Sequence, residues 1–149
     1  MNFIGVTHTL GMPPYVPYLD GYWKLGRDYW TSIYTDSGVY HCEMKKGWVT
    51  DKRSGSTAVD IIVPKSWNAD YDAIILSHDF LYSGHLCRAT ADWILKEGMI
   101  WSGISEWKAN LAYSAVRIAG GSAWIDIDLP LPSPYQNNRE LEKFTWEPK

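Results

Sequence analysis

Asp70-Tyr-Asp-Ala-Ile-Ile-Leu-Ser-His78-Asp79-Phe-Leu-Tyr82, then Ser83-Gly84-His85 and, after a short turn, Ala91-Asp92-Trp-Ile-Leu-Lys-Glu-Gly-Met99, is the stretch that decides the fold. Its apolar residues recur at helical spacing on both sides of Gly84, which predicts two helices folded back on one another, over Asp70–Tyr82 and about Arg88–Ile100. His78 and Tyr82 are four residues apart and share a face with Ile74, while Asp79 leaves from the neighbouring face beside Ile75. Asp92 stands among Ala91, Trp93, Ile94 and Leu95, where a lone carboxylate costs roughly several kcal/mol unless it is hydrogen-bonded. An antiparallel hairpin brings His78, Tyr82 or both within reach of it.

Ahead of the hairpin, Asn68 or Asp70 suits the free amide hydrogens of the first helical turn, and Asp70 and Asp72 suit the positive end of its dipole. Residues 21–63 carry short alternating runs at Ser32–Thr35, Gly38–Met44, Gly47–Thr50 and Thr57–Val63, punctuated by Asp36-Ser-Gly38, Lys45-Lys-Gly47 and Arg53-Ser-Gly55. That pattern predicts a small antiparallel sheet. Beyond the hairpin, Trp107, Leu111, Ser114 or Ala115, and Ile118 mark a third helix over Ser105–Ala119, its stripe expected as core, with Arg117 a surface residue extending past it. A strand is expected over Ala123–Leu129.

Pro13, Pro14 and Pro17 make residues 1–20 an extended N-terminal arm, and Pro130-Leu-Pro-Ser-Pro134 opens an extended tail over 130–149. The expectation is therefore a single α+β domain over 21–129, an antiparallel sheet followed by three α-helices, with a Pro-rich arm at each end.

A length of 149 residues supports one core and not two. Fourteen basic residues against 17 acidic, net charge −3, with no Lys/Arg stripe, argue against nucleic acid as partner. Cys42 and Cys87 form no C-x-x-C pair, so neither a disulfide framework nor a zinc site is indicated. No apolar run reaches the roughly 18 residues of a transmembrane segment, and the N-terminus has no leader pattern, so synthesis in a cytoplasm is expected. Eight aromatic residues between Tyr15 and Tyr40 favour large contact areas.

The ordered succession Val63-Pro-Lys-Ser-Trp67-Asn-Ala-Asp70, His78-Asp-Phe-Leu-Tyr82, Ala91-Asp92 and Tyr113-Ser-Ala-Val-Arg117, with Gly120 and Trp124, resembles the phage- and prophage-associated domain of unknown function 1353 family over about residues 57–124. Family members usually carry a Ser-x-Pro-Arg segment before the His-Asp helix. This chain passes from Asp70 almost directly into Ala73-Ile-Ile.

The hairpin is also similar in pattern to phospholipase A2 enzymes. That resemblance implies His78 as general base, Asp92 as its orienter, Tyr82 as a brace on Asp92, and Asp79 as ligand of a calcium ion that steadies the oxyanion. No Gly-rich loop precedes His78 to supply further oxygens, which leaves Asp70 as the substitute metal ligand.

Two functions follow as expectations. One is a phage-encoded ester or lipid hydrolase acting on the host envelope. The other is a virion component of tail, neck or capsid, docking on phage structural proteins through its aromatic first segment and its tail. A third, a His-Asp metal phosphohydrolase drawing on His41 and His85, is disfavoured by the strand around His41 and the turn at His85.

Overall fold

Tyr29–Thr35 (β4) and Gly38–Met44 (β5) form the central hairpin of a four-stranded antiparallel sheet. The computed structural model describes residues 1–51, 64 and 66–149. Strand alternation turns Tyr29, Thr31, Ile33, Tyr40, Cys42 and Met44 inward, all of them buried, and leaves Trp30 and Glu43 exposed on the other face. The flanking strands are Phe3–His8 (β1) and Glu142–Pro148 (β7), in the order β1-β4-β5-β7. Tyr15–Pro17 (β2), Trp23–Leu25 (β3) and Val49–Thr50 (β6) form a second sheet in the order β2-β3-β6.

Both expected arms are therefore built into the body. Residues 1–20 supply β1 and β2, and the tail returns as β7 along β5, where Trp146 and Phe144 stack on Tyr40 at 4.4 and 6.1 Å between ring centroids. Prolines mark the loops of these segments but say nothing of the strands beyond them. The expected strand Thr57–Val63 and the turn Arg53-Ser-Gly55 lie outside the described residues.

Among the described residues three helices follow the first six strands, as expected of an α+β fold: Ala69–Leu81 (α1), Arg88–Trp101 (α2) and Glu106–Ala119 (α3). Asn68 caps α1, its side chain accepting from the Tyr71 amide at 2.7 Å. α1 is buried on nearly every side, including Ile74, Leu76, Phe80 and Leu81, as befits a helix between the sheet and its neighbours. The hydroxyls of Thr31 and Ser77 join it to β4 at 2.7 Å.

α1 and α2 touch at Gly98, where an added Cβ would lie 2.3 Å from Ile74 Cδ1, so a residue that weakens the helix is what lets the pair close. Gly84 ends the turn after α1 at φ +87°, and a Cβ there would meet the Ile127 amide nitrogen at 2.2 Å.

α3 corrects an expectation. Its buried residues are Ala109 and Ala112, with Val116 partly buried, whereas Trp107, Leu111 and Ile118 are 58%, 42% and 86% exposed. The two stripes lie on opposite faces, and the small one is inward because alanine permits close approach to α2. Ala123–Leu129 is likewise no strand. Asp126 Oδ1 accepts the Asp128 amide at 3.0 Å, and Arg139 binds the carbonyls of Asp126 and Leu129, which gives this backbone local and side-chain partners in place of a ladder. No helix among the described residues is long and apolar enough to cross a membrane.

Candidate functional site

Asp92, fully buried on α2, accepts hydrogen bonds from α1 and α3 and has an ion-pair contact from its own helix. His78 Nε2 on α1 lies 2.8 Å from Oδ1, and the hydroxyl of Tyr82, the C-cap of α1, donates to the same oxygen at 2.5 Å. Arg117 Nη1 on α3 donates to Oδ2 at 2.7 Å, and Arg88 Nε stands 3.9 Å from it, one turn earlier on α2.

Burial alone pushes the Asp92 carboxyl up, but the hydrogen bonds from His78, Tyr82 and Arg117 outweigh it and leave the group below the ordinary range. The carboxylate is thus ionised and can only accept, so His78 Nε2 carries the proton and donates. Nδ1 has no hydrogen-bond partner among the described residues. The Tyr82 phenol is raised by burial and by its bond to Asp92, and therefore stays a donor.

The His78 side chain is 14% exposed, and its ring lies 4.3 Å from that of Tyr82. All four histidines contact a carboxylate at 2.7–2.8 Å, so that contact alone selects nothing. His8 meets Asp70 and His41 meets Glu147, both exposed acids. His85 meets the buried Glu142 but is stacked on Phe80 and Phe144, which close off its ring faces. His78 is set apart by its acid, buried and compensated by Arg117, and not by exposure, which at 14% matches the 13% of His85.

The structure brings His78, Asp92 and Tyr82 together and sets Asp79 and Asp70 apart. Asp70, on His8, is nine residues before Asp79 on the same helix, roughly 13 Å along its axis. Asp79 takes a hydrogen bond from the Thr50 hydroxyl at 2.5 Å, and burial together with the charge of Asp51 pushes its carboxyl up to about 8. Asp51 is itself raised, chiefly by burial, against a hydrogen bond from Tyr135.

Calcium takes six to eight oxygens. Among the described residues no three His, Cys, Asp or Glu side chains converge for a metal, and the Thr50 hydroxyl donates toward Asp79 instead of offering it company as a ligand. These residues do not fit a calcium cage. Cys42 and Cys87 are free thiols, the first buried and the second exposed.

Two contributors escaped the sequence reading. Arg117 was expected at the surface; the signal for it was Asp92 itself, a buried carboxylate that calls for a cation. Asp51 stands alone after a short strand and gives no sequence signal. A family model described as "Protein of unknown function (DUF1353)" matches residues 23–116. No curated protein and no solved structure matches the chain.

Proposed function

For a chain that belongs to the DUF1353 family of proteins of unknown function, we propose a phage-encoded hydrolase that acts on an ester or lipid of the host envelope, with His78 as the base. The observation that carries this reading is Asp92: buried, ionised, and holding the imidazole by one nitrogen so that the other is free. A water molecule on Nδ1 gives up its proton there as its oxygen attacks the ester carbonyl. Collapse of the tetrahedral intermediate expels the alkoxide, which takes that proton back from the imidazolium. Asp92 orients the ring and stabilises its charged form, as the acid of a triad does without a serine. Tyr82 and Arg117 keep Asp92 in place.

The test is turnover of short-chain esters and phospholipid vesicles by the wild type and by His78→Ala, each with and without calcium. Turnover at least a hundredfold lower in His78→Ala, on the scale of general-base catalysis, supports the reading. Equal rates in the two proteins overturn it, and a rate that needs calcium restores a role for the metal.

The exposed Trp107, Leu111 and Ile118 stripe favours a second reading, a virion component docking on phage structural proteins. Mass spectrometry of purified particles tests it: absence of this chain rules it out.

A further inference from the structure

We propose that the cavity between the end of β6, the last turn of α1 and the loop over residues 131–138 binds a small organic ammonium group, with the carboxyl oxygens of Asp51 and Asp79 as its hydrogen-bond acceptors. The cavity measures about 190 Å³, below the roughly 300–1,000 Å³ of sites for drug-sized ligands, and so suits a head group and no long chain. Among the described residues its lining includes both acids and no lysine, arginine or histidine. The nearby Arg139 is spent on the carbonyls of Ser83, Asp126 and Leu129.

Asp51 Oδ1 is buried and accepts no hydrogen bond, a lone pair that the fold itself leaves unanswered. Asp79 is desolvated behind its single bond from Thr50. Trp48, Tyr82, Ser83 and Tyr135 also line it, which places three aromatic residues beside the acids. Acid oxygens beside aromatic surface suit an ammonium, which donates several hydrogen bonds and is attracted to ring faces. A metal ion would need more oxygens than the two acids bring.

Tyr82 is shared: it lines the cavity while its hydroxyl holds Asp92. A bound ammonium would therefore sit one residue's width from the His78 site. If the hydrolase reading holds, the natural source is the amino head group of an envelope lipid. Otherwise it is a free amine, and the cavity argument does not depend on which.

The experiment is titration of the full chain with ethanolamine and with choline at constant ionic strength, read by calorimetry and by amide chemical shifts, against ethylene glycol and 3,3-dimethylbutanol as neutral isosteres. Saturable binding of at least one ammonium, with shifts centred on Trp48, Asp51, Asp79 and Tyr135, is expected. Asp51→Asn and Asp79→Asn should each weaken it at least tenfold, and His78→Ala should leave it unchanged while removing turnover. Retention on phosphatidylethanolamine vesicles but not phosphatidylglycerol vesicles, competed by ethanolamine, identifies the lipid source; free binding without vesicle preference identifies a soluble amine. No saturable binding, equal binding of the neutral isosteres, shifts elsewhere in the fold, or saturation by calcium chloride alone overturns the proposal. The wild-type shift map decides even if an acid variant fails to fold. Because binding and turnover are read separately, failure of this site is distinguishable from failure of the hydrolase.

Discussion

Replacing Tyr82 by phenylalanine removes a single oxygen from the site and leaves the ring against His78. The lost bond, 2.5 Å long, runs to an ionised and buried carboxylate. Hydrogen bonds to charged groups contribute about 1.5–3 kcal/mol. Asp92 keeps His78 on Oδ1 and Arg117 on Oδ2, so neither oxygen is orphaned and the cost belongs near the lower end, about 1.5–2 kcal/mol. In a domain of this size that lowers Tm by about 3–8 °C.

The pH dependence follows from Asp92. Its folded pKa is depressed, so its contribution is present above the unfolded value of about 3.9 and is lost as pH falls through the folded value. Tyr82→Phe makes that depression smaller, and the deficit against wild type should be full at pH 7 and shrink below about pH 4. Urea unfolding of both proteins, with Asp92→Asn and the double variant closing a cycle, measures it. A coupling energy of zero, or a deficit that stays constant from pH 7 to pH 3, refutes the reasoning.

Asp79→Asn should stabilise. Its folded pKa of about 8 lies above the unfolded value, so the wild type binds the extra proton when folded and loses stability as pH rises from about 4 to 8; thermal melts across that window should be flatter in the variant, which should gain on the order of 1–4 kcal/mol at pH 8, as neutral replacements of buried charge do. Gly84→Ala should cost about 2–4 kcal/mol, because the positive φ is unfavourable to alanine and the new methyl meets the backbone of Ile125–Ile127; chemical unfolding reads it directly. Leu111→Ser should change stability by less than about 0.5 kcal/mol, since the side chain is exposed, but should weaken co-sedimentation with particles if α3 docks there.

The hairpin could be read from the chain because three local signals agree: apolar periodicity, Asn68 at the cap and Gly84 at the stop. The partnership of His78, Tyr82 and Asp92 could be read because an acid among Trp93, Ile94 and Leu95 must find donors, and the hairpin offers those two. Arg117 could not, because a long cationic side chain reaches outward or inward from the same helical position. β1 and β7 leave little local signal, because each pairs with residues far away in sequence and Pro13-Pro14 and Pro130 punctuate the chain beside them. α3 inverted the usual rule, since periodicity shows a helix has two faces but not which one packs, and here the two alanines win over tryptophan and leucine. The Asp51–Asp79 cavity joins residues from opposite ends of a long separation, and only the fold brings them together.

The central claim is that Asp92 takes the proton-bearing nitrogen of His78 and leaves the other lone pair for water. Nitrogen-15 NMR of the neutral imidazole measures this most directly. The account predicts Nε2–H with an unprotonated Nδ1 in the wild type, and loss of the hydrogen-bonded Nε2 proton signal in Asp92→Asn. A proton on Nδ1 in the wild type, or a ring whose tautomer ignores Asp92→Asn, would contradict it.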